Sequence, residues 1–385
     1  MTSPPAGGRR VLVVTQGFPR RPDDHRAPFL LDHARALAGA GCRVTVLCPS
    51  APGLAPHERW GDVDVVRFRY APRRLEVFAY SGAMHRDVRT WRVLLLPLFL
   101  VGYLLAVRHH SSDADVVHAH WWIPSGLVAV VAARRARVVA VHLHGTDVAI
   151  ARGPLRPLAA WVLRRASVVL AASPALASWA GEVAGVDAVV APTPLGLDRV
   201  PSPPTPPPVD GPVLAVGRLV PEKGFDVLIR AVASTGDRLV IVGDGDIRPA
   251  LESLSRSINA DVTFSGSVDP GELARDYTAA RLVAVPSRRE GFGMVAAEAL
   301  AAGRAVVGTR VGGLPDVVTD GVTGTLVAPD DVGALAAALR STDPALGANG
   351  PATVAWLHPD AIAARNLAAY DAAVRSNRSL PRREP

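Results

Sequence analysis

Val213-Leu-Ala-Val-Gly-Arg-Leu-Val-Pro-Glu-Lys-Gly224 is a short apolar run that stops at a glycine, turns past two cations and ends on a second glycine. A brief, continuous apolar run bounded by turn residues reads as a strand buried on both faces, and such strands belong to parallel sheets covered by helices. The same figure opens the chain, where Val11–Thr15 runs through Gln16 into Gly17. From each start, strand-like and helix-like runs alternate. Val44–Cys48, Val63–Tyr70, Val116–His118, Val138–His142 and Val168–Ala171 follow the first; Leu239–Val242, Val262–Phe264, Leu282–Pro286 and Ala305–Gly308 follow the second. This rhythm predicts an α/β chain with two Rossmann-like, doubly wound parallel sheets. Ligands of open parallel sheets sit beyond the C-terminal strand ends, so two such domains facing a central cleft would bind there.

The 385 residues are enough for two cores. The proline run between Val200 and Val209 is stiff and extended, which predicts an interdomain linker. The expected organisation is therefore a domain over 1–200, a linker over 201–210 and a second domain over 211–355. A last helix over 356–376 and a disordered tail over 377–385 complete it. Charged residues are 20% and hydrophobic ones 49% of the chain, which excludes intrinsic disorder. The net charge of +7 suits a phosphorylated ligand or an anionic membrane. Aromatics are only 5% and no zinc-finger spacing occurs, which argues against nucleic acid. Cys42 and Cys48 lie at the two ends of one extended strand, too far apart for a disulfide, so two reduced thiols and a cytoplasmic chain are expected. The apolar run Val93–Val107 is shorter than a bilayer span and predicts a buried helix. The competing reading is a helix that touches the inner face of a membrane. It draws on Arg67, Arg69, Arg73, Arg74, Arg86, Arg89 and Arg92 just upstream.

The chemistry concentrates in two stretches of the second half. In Pro286-Ser-Arg-Arg-Glu-Gly-Phe-Gly-Met-Val-Ala-Ala-Glu298, two carboxylates flank a Gly-Phe-Gly loop that enters an Ala-rich helix. Carboxylates accept hydrogen bonds from vicinal hydroxyls, and glycines before a helix N-terminus let backbone N–H groups reach an anion. Arg218 and Lys223, across one turn, suit a diphosphate whose leaving charge must be neutralised.

These segments, with Ile241-Val-Gly-Asp-Gly245 and Val311-Gly-Gly-Leu-Pro-Asp316, occur in the order and spacing of retaining GT-B glycosyltransferases. Over about residues 9–375 the chain resembles glycosyltransferase family 4, the glycosyl transferase group 1 family, more specifically in its second half. The resemblance implies that Arg218 and Lys223 hold the donor diphosphate and Glu290 the donor sugar. It implies too that backbone at Phe292, Gly293 and Met294 lines sugar and phosphate, and that Glu298 holds the ribose. Gly243 and Asp244 would shape a turn. In the first half, Asp115-Val-Val-His-Ala-His120 matches the family's His-x-His segment, making His120 the candidate that faces the reacting sugar. His142-Leu-His-Gly-Thr-Asp147 adds His144, Thr146 and Asp147 on the acceptor side. Many relatives carry a Gly-Gly pair after the first strand; here only Gly17 stands there, followed by Arg20, Arg21 and Arg26, which read equally as contacts to an acceptor phosphate or lipid head group and as a solvated cluster.

The implied activity is transfer of a hexose-type sugar, with retention, from a nucleotide diphosphate sugar to a hydroxyl of a carbohydrate or lipid-linked acceptor. No cofactor is expected. The histidines and Asp147 form a conceivable donor set for a metal, yet none is expected, because Arg218 and Lys223 would do its work at the diphosphate. Two rivals are a nucleotide-sugar epimerase or hydrolase on the same fold and a non-catalytic scaffold docked on a membrane. An NAD-dependent oxidoreductase is disfavoured, since neither half shows G-x-G-x-x-G after its first strand.

Overall fold

The computed structural model describes residues 8–22, 24, 27–76, 91–151 and 153–379. The first sheet is built from β1 (Arg10–Val14), β2 (Arg43–Pro49), β3 (His57–Trp60), β4 (Val63–Phe68), β5 (Val116–His120), β6 (Val138–Leu143), β7 (Val168–Ala171) and β8 (Ala188–Val190). Its order is β3-β4-β2-β1-β5-β6-β7-β8, parallel except for the antiparallel edge strand β3. The second sheet contains β9 (Val213–Val216), β10 (Leu239–Val242), β11 (Val262–Gly266), β12 (Leu282–Val285), β13 (Val306–Thr309) and β14 (Gly324–Val327), in the order β11-β10-β9-β12-β13-β14. Each sheet winds outward in both directions from its first strand. The strand order therefore reverses between β1 and β5 and between β9 and β12, and the loops after those strands are where such sheets bind ligands. The edge strands β3, β8 and β14 escape the sequence reading because they are short and partly exposed.

The compact units are 1–194 with 359–385, and 195–358. The second unit thus starts before the proline run, and residues 201–210 are not a free linker. Buried Arg304 fastens them: its guanidinium donates to Thr205 O at 2.6 Å, Thr205 Oγ1 at 2.8 Å and Tyr277 O at 2.7 Å. The last helix spans Pro359–Ser379, which carries it past the expected end at 376 and into the segment expected to be disordered. It belongs to the first unit, burying Ala369, Tyr370 and Ala373 in that unit's core while Arg9 pairs with Asp371. Cys42 and Cys48 are buried and form no disulfide.

The apolar run departs from its expected burial. A helix forms over Leu96–His110, and Phe99, Tyr103 and Val107 do pack inward. Leu94, Leu98, Val101 and Leu105 instead line an outer face, at 74%, 53%, 57% and 58% exposure. The helical stretch Val93–Asp113 is long and apolar enough for a membrane span by length and composition alone. Two of the upstream arginines are spoken for: Arg67 is buried against Glu58 and Ala55 O, and Arg69 pairs with Glu76. Arg86 and Arg89 lie outside the described residues.

Candidate active site

The loops after β9 and β12 are joined by Arg288, a residue the sequence reading passed over. Its guanidinium grips Asp226 at 2.9 and 2.8 Å, Asp330 at 2.6 Å and Pro221 O at 2.6 Å, and its backbone N–H donates to Glu222 O at 2.8 Å. Burial alone would raise the Asp226 pKa; the Arg288 hydrogen bond and charge outweigh it and hold the carboxyl low. The two loops approach so closely that a Cβ at Gly224, where φ is +65°, would stand 2.1 Å from Pro286 O. The result is direct contact between two expected site residues. Lys223 Nζ lies 2.7 Å from Glu290 Oε2, which also accepts from Ser287 Oγ at 3.0 Å. The pre-formed pair keeps a cation and a carboxylate at the switch point, ready to separate toward an anion and a polyol.

Arg218 is exposed and makes no side-chain hydrogen bond or ion pair among the described residues. Gly293, with φ +106°, starts the helix Met294–Ala301, which has neither a side-chain cap nor an acid in its first turn. Its leading N–H groups and dipole are thus available to an anion. Phe292 is buried and meets Trp356 edge-on, while Met294 is half-buried. Gly312 supports this loop from behind: at φ +53°, its Cβ would sit 1.7 Å from Glu290 O. That contact makes Gly312 and Gly313 a tight loop packed against the Glu290 loop. Asp244 likewise accepts the Leu219 N–H at 2.9 Å, holding the turn beside Arg218.

Glu298 is buried, and both its oxygens have partners: Arg199 Nε at 3.1 Å and Tyr277 Oη at 3.1 Å. Arg199 was invisible as a site residue because it precedes the proline run and was assigned to the other domain. A carboxylate oxygen accepts more than one hydrogen bond, so Glu298 keeps lone pairs for a diol while Arg199 and Tyr277 fix its orientation.

In the first unit, His33, His118, His120 and His142 are fully buried, and His144 is half-buried beside them. The parallel register puts His120 opposite His142. His120 Nδ1 lies 2.7 Å from His144 Nε2, so His144 is the outer ring of that pair and His120 stands behind it. Asp147 is fully buried rather than open to a ligand. It accepts the Trp122 N–H at 2.9 Å and the His144 N–H, bracing the turn. Thr146 begins the short helix Thr146–Ile150; its side chain and all of Arg26 lie outside the described residues. Gly17 N–H donates to Thr15 Oγ1 at 3.3 Å, and a Cβ there would meet nothing within 4 Å. The protein's own packing therefore does not demand a glycine at 17.

Burial lowers the pKa of each clustered histidine, that of His33 to about 4 and that of His144 to about 3, and the neighbouring rings add to it at His118, His120, His142 and His144. A depressed folded-state pKa means that the unfolded chain binds more protons as pH falls from about 6.5. Stability is thus fully present above that value and lost on descent toward pH 4. Asp147 acts in the opposite sense, since burial raises its pKa to about 6 against its N–H partners, but it is one group against five. At pH 5, His33 alone removes about 2 kcal/mol. The midpoint of thermal unfolding, followed by circular dichroism, is expected to drop by roughly 10 °C between pH 7 and pH 5. An unchanged midpoint would contradict neutral burial of these rings.

The comparisons with known proteins agree with this geometry. Residues 211–342 match the family model described as glycosyl transferases group 1, and residues 27–196 match the glycosyl transferase 4-like domain. The D-inositol 3-phosphate glycosyltransferase of Xylanimonas cellulosilytica is 34% identical over 339 residues, covering 78% of this chain and 78% of that protein. The Mycobacterium avium protein of the same description is 36% identical over 329 residues, covering 72% and 74%. Among solved structures, sucrose-phosphate synthase from Thermosynechococcus elongatus superposes with a TM-score of 0.80 at 24% identity, over 96% of this chain and 100% of that one. Anabaena HepE in complex with UDP gives 0.69 at 20% identity, over 94% and 100%. Two Rossmann-like units carrying these loops define a GT-B glycosyltransferase. The chain belongs to the glycosyl transferase group 1 family, glycosyltransferase family 4.

Proposed function

We propose that this glycosyltransferase moves a hexose-type sugar from a nucleotide diphosphate donor, with retention, to a hydroxyl of a lipid-linked or polysaccharide precursor at an anionic membrane surface. The Lys223–Glu290 contact beside Arg218 carries the donor half of this reading. In it Arg218, Lys223 and the N–H groups at Phe292–Met294 take up the charge of the leaving diphosphate, Glu290 holds the sugar hydroxyls, and Glu298 the ribose. His144 offers the outer imidazole toward the acceptor and His120 holds it in place. Asp147 has both oxygens engaged by backbone N–H groups and is a poor nucleophile, which favours front-face transfer over a covalent sugar intermediate. The anomeric configuration of the product, read by proton NMR, tests the retention: an inverted linkage would overturn it.

The apolar face formed by Leu94, Leu98, Val101 and Leu105 supports the membrane part, with Arg108 and His109 exposed at the helix end. Replacing Leu98, Val101 and Leu105 together with glutamate is expected to reduce co-sedimentation with phosphatidylglycerol vesicles by about tenfold or more. Equal binding by both proteins would remove the membrane from the account. A second acceptor reading, a small phosphorylated polyol, rests on the printed names of the inositol 3-phosphate relatives. Turnover with D-inositol 3-phosphate, without any lipid, would select it.

A further inference from the structure

The five rings of the histidine cluster do not satisfy one another. The contacts His118–His142 and His120–His144, with Tyr370 on His118, leave both nitrogens of His33 and the Nε2 atoms of His120 and His142 buried without a hydrogen-bond partner. Asn366 Oδ1, on the last helix, is buried as well and lies beside His33 without reaching hydrogen-bond geometry. Each such group costs about 1–3 kcal/mol unless something occupies the space between the rings.

We propose that His33, His118 and His142 bind a divalent transition metal of the zinc class, at a site separate from the donor diphosphate. The residues come from three elements: the helix Pro28–Gly39, β5 and β6. One ring nitrogen from each lies within 4.8 Å of the others, and all three residues are fully buried. His118 Nε2 and His142 Nδ1 are 3.1 Å apart. Zinc–nitrogen bonds of about 2.0–2.1 Å in a tetrahedral site place ligand atoms about 3.3 Å apart, so this pair already has the separation of two ligands on one ion. The other nitrogen of His118 is 2.6 Å from Tyr370 Oη, the kind of outer partner that sets a ligand's tautomer and orientation. Three imidazoles with no carboxylate among them suit zinc, cobalt or nickel, and exclude magnesium and calcium. The ion would tie the helix to the two strands directly behind the His120–His144 pair.

Untagged chain stripped with EDTA and titrated with Co2+ is expected to take up one equivalent. Visible ligand-field absorption of four-coordinate cobalt should develop with it, together with a rise in melting temperature, and Zn2+ should displace the colour. His33→Gln should weaken uptake at least a hundredfold. Tyr370→Phe, which keeps the packing, should weaken it about 10- to 100-fold. The pair His109, exposed, and His110, half-buried, lies outside the cluster and is the control, and the His109→Ala/His110→Ala variant should bind as the parent does. No stoichiometric uptake would overturn the proposal. So would a signal that survives both Tyr370→Phe and His33→Gln, or one abolished in the control.

Discussion

Lys223→Ala is expected to lower kcat about 10²- to 10³-fold while leaving the melting temperature within a few degrees of the parent. A preorganised cation facing charge that develops on a leaving group is typically worth about 3–4 kcal/mol in the transition state. The Lys223–Glu290 pair is partly solvated, at 25% and 13% side-chain exposure, so its removal costs the fold only about 0–1 kcal/mol. Arg218 does not compensate, because it is exposed and lacks the tether to Glu290. Initial rates of nucleoside diphosphate release, with the melting curve beside them, make the measurement. Parental turnover in a folded variant would remove Lys223 from the leaving-group site, and equal loss of activity and stability would make it a structural residue.

Glu298→Ala carries the largest expected cost to the fold. The carboxylate and Arg199 are almost entirely inside, at 7% and 10% side-chain exposure, and Tyr277 depends on the same group. Removing the carboxylate takes a buried partner from the phenol and from the guanidinium, which keeps Asp198 at 3.5 Å, and costs about 3 kcal/mol. Urea unfolding should show that loss, while Glu298→Gln, which retains an oxygen for Tyr277, should lose less. At temperatures where both variants stay folded, the donor KM should rise at least tenfold in each, through loss of the ribose contact. A normal KM in folded Glu298→Gln would leave Glu298 as a brace for Arg199 and nothing more.

The sheet-forming runs were legible because buried parallel strands such as Leu239–Val242 and Leu282–Val285 are uniformly apolar. The edge strands lack that signature. Residues 201–210 read as a linker because proline stiffness is local information, whereas the fastening by Arg304 comes from a residue about a hundred positions away. The run Val93–Val107 failed for a different reason: length and hydropathy do not say which face meets the core. In the site, Lys223 and Glu290 could be named from their loops. The Arg288 clamp and the Arg199–Glu298–Tyr277 group could not, since each depends on charges brought together by strand order. His120 was legible as a residue and not as a position, because only the β5–β6 register shows it lying behind His144.

The proposed binding site for a nucleotide diphosphate sugar is formed by the loops after β9 and β12. The direct test is the melting temperature of the parent and of Lys223→Ala with UDP-, GDP-, ADP- and TDP-sugars and the free diphosphates. The account predicts a selective rise with donors of one base in the parent, and a much smaller rise with the same donors in Lys223→Ala. No rise with any donor, or an equal rise in both proteins, would contradict it.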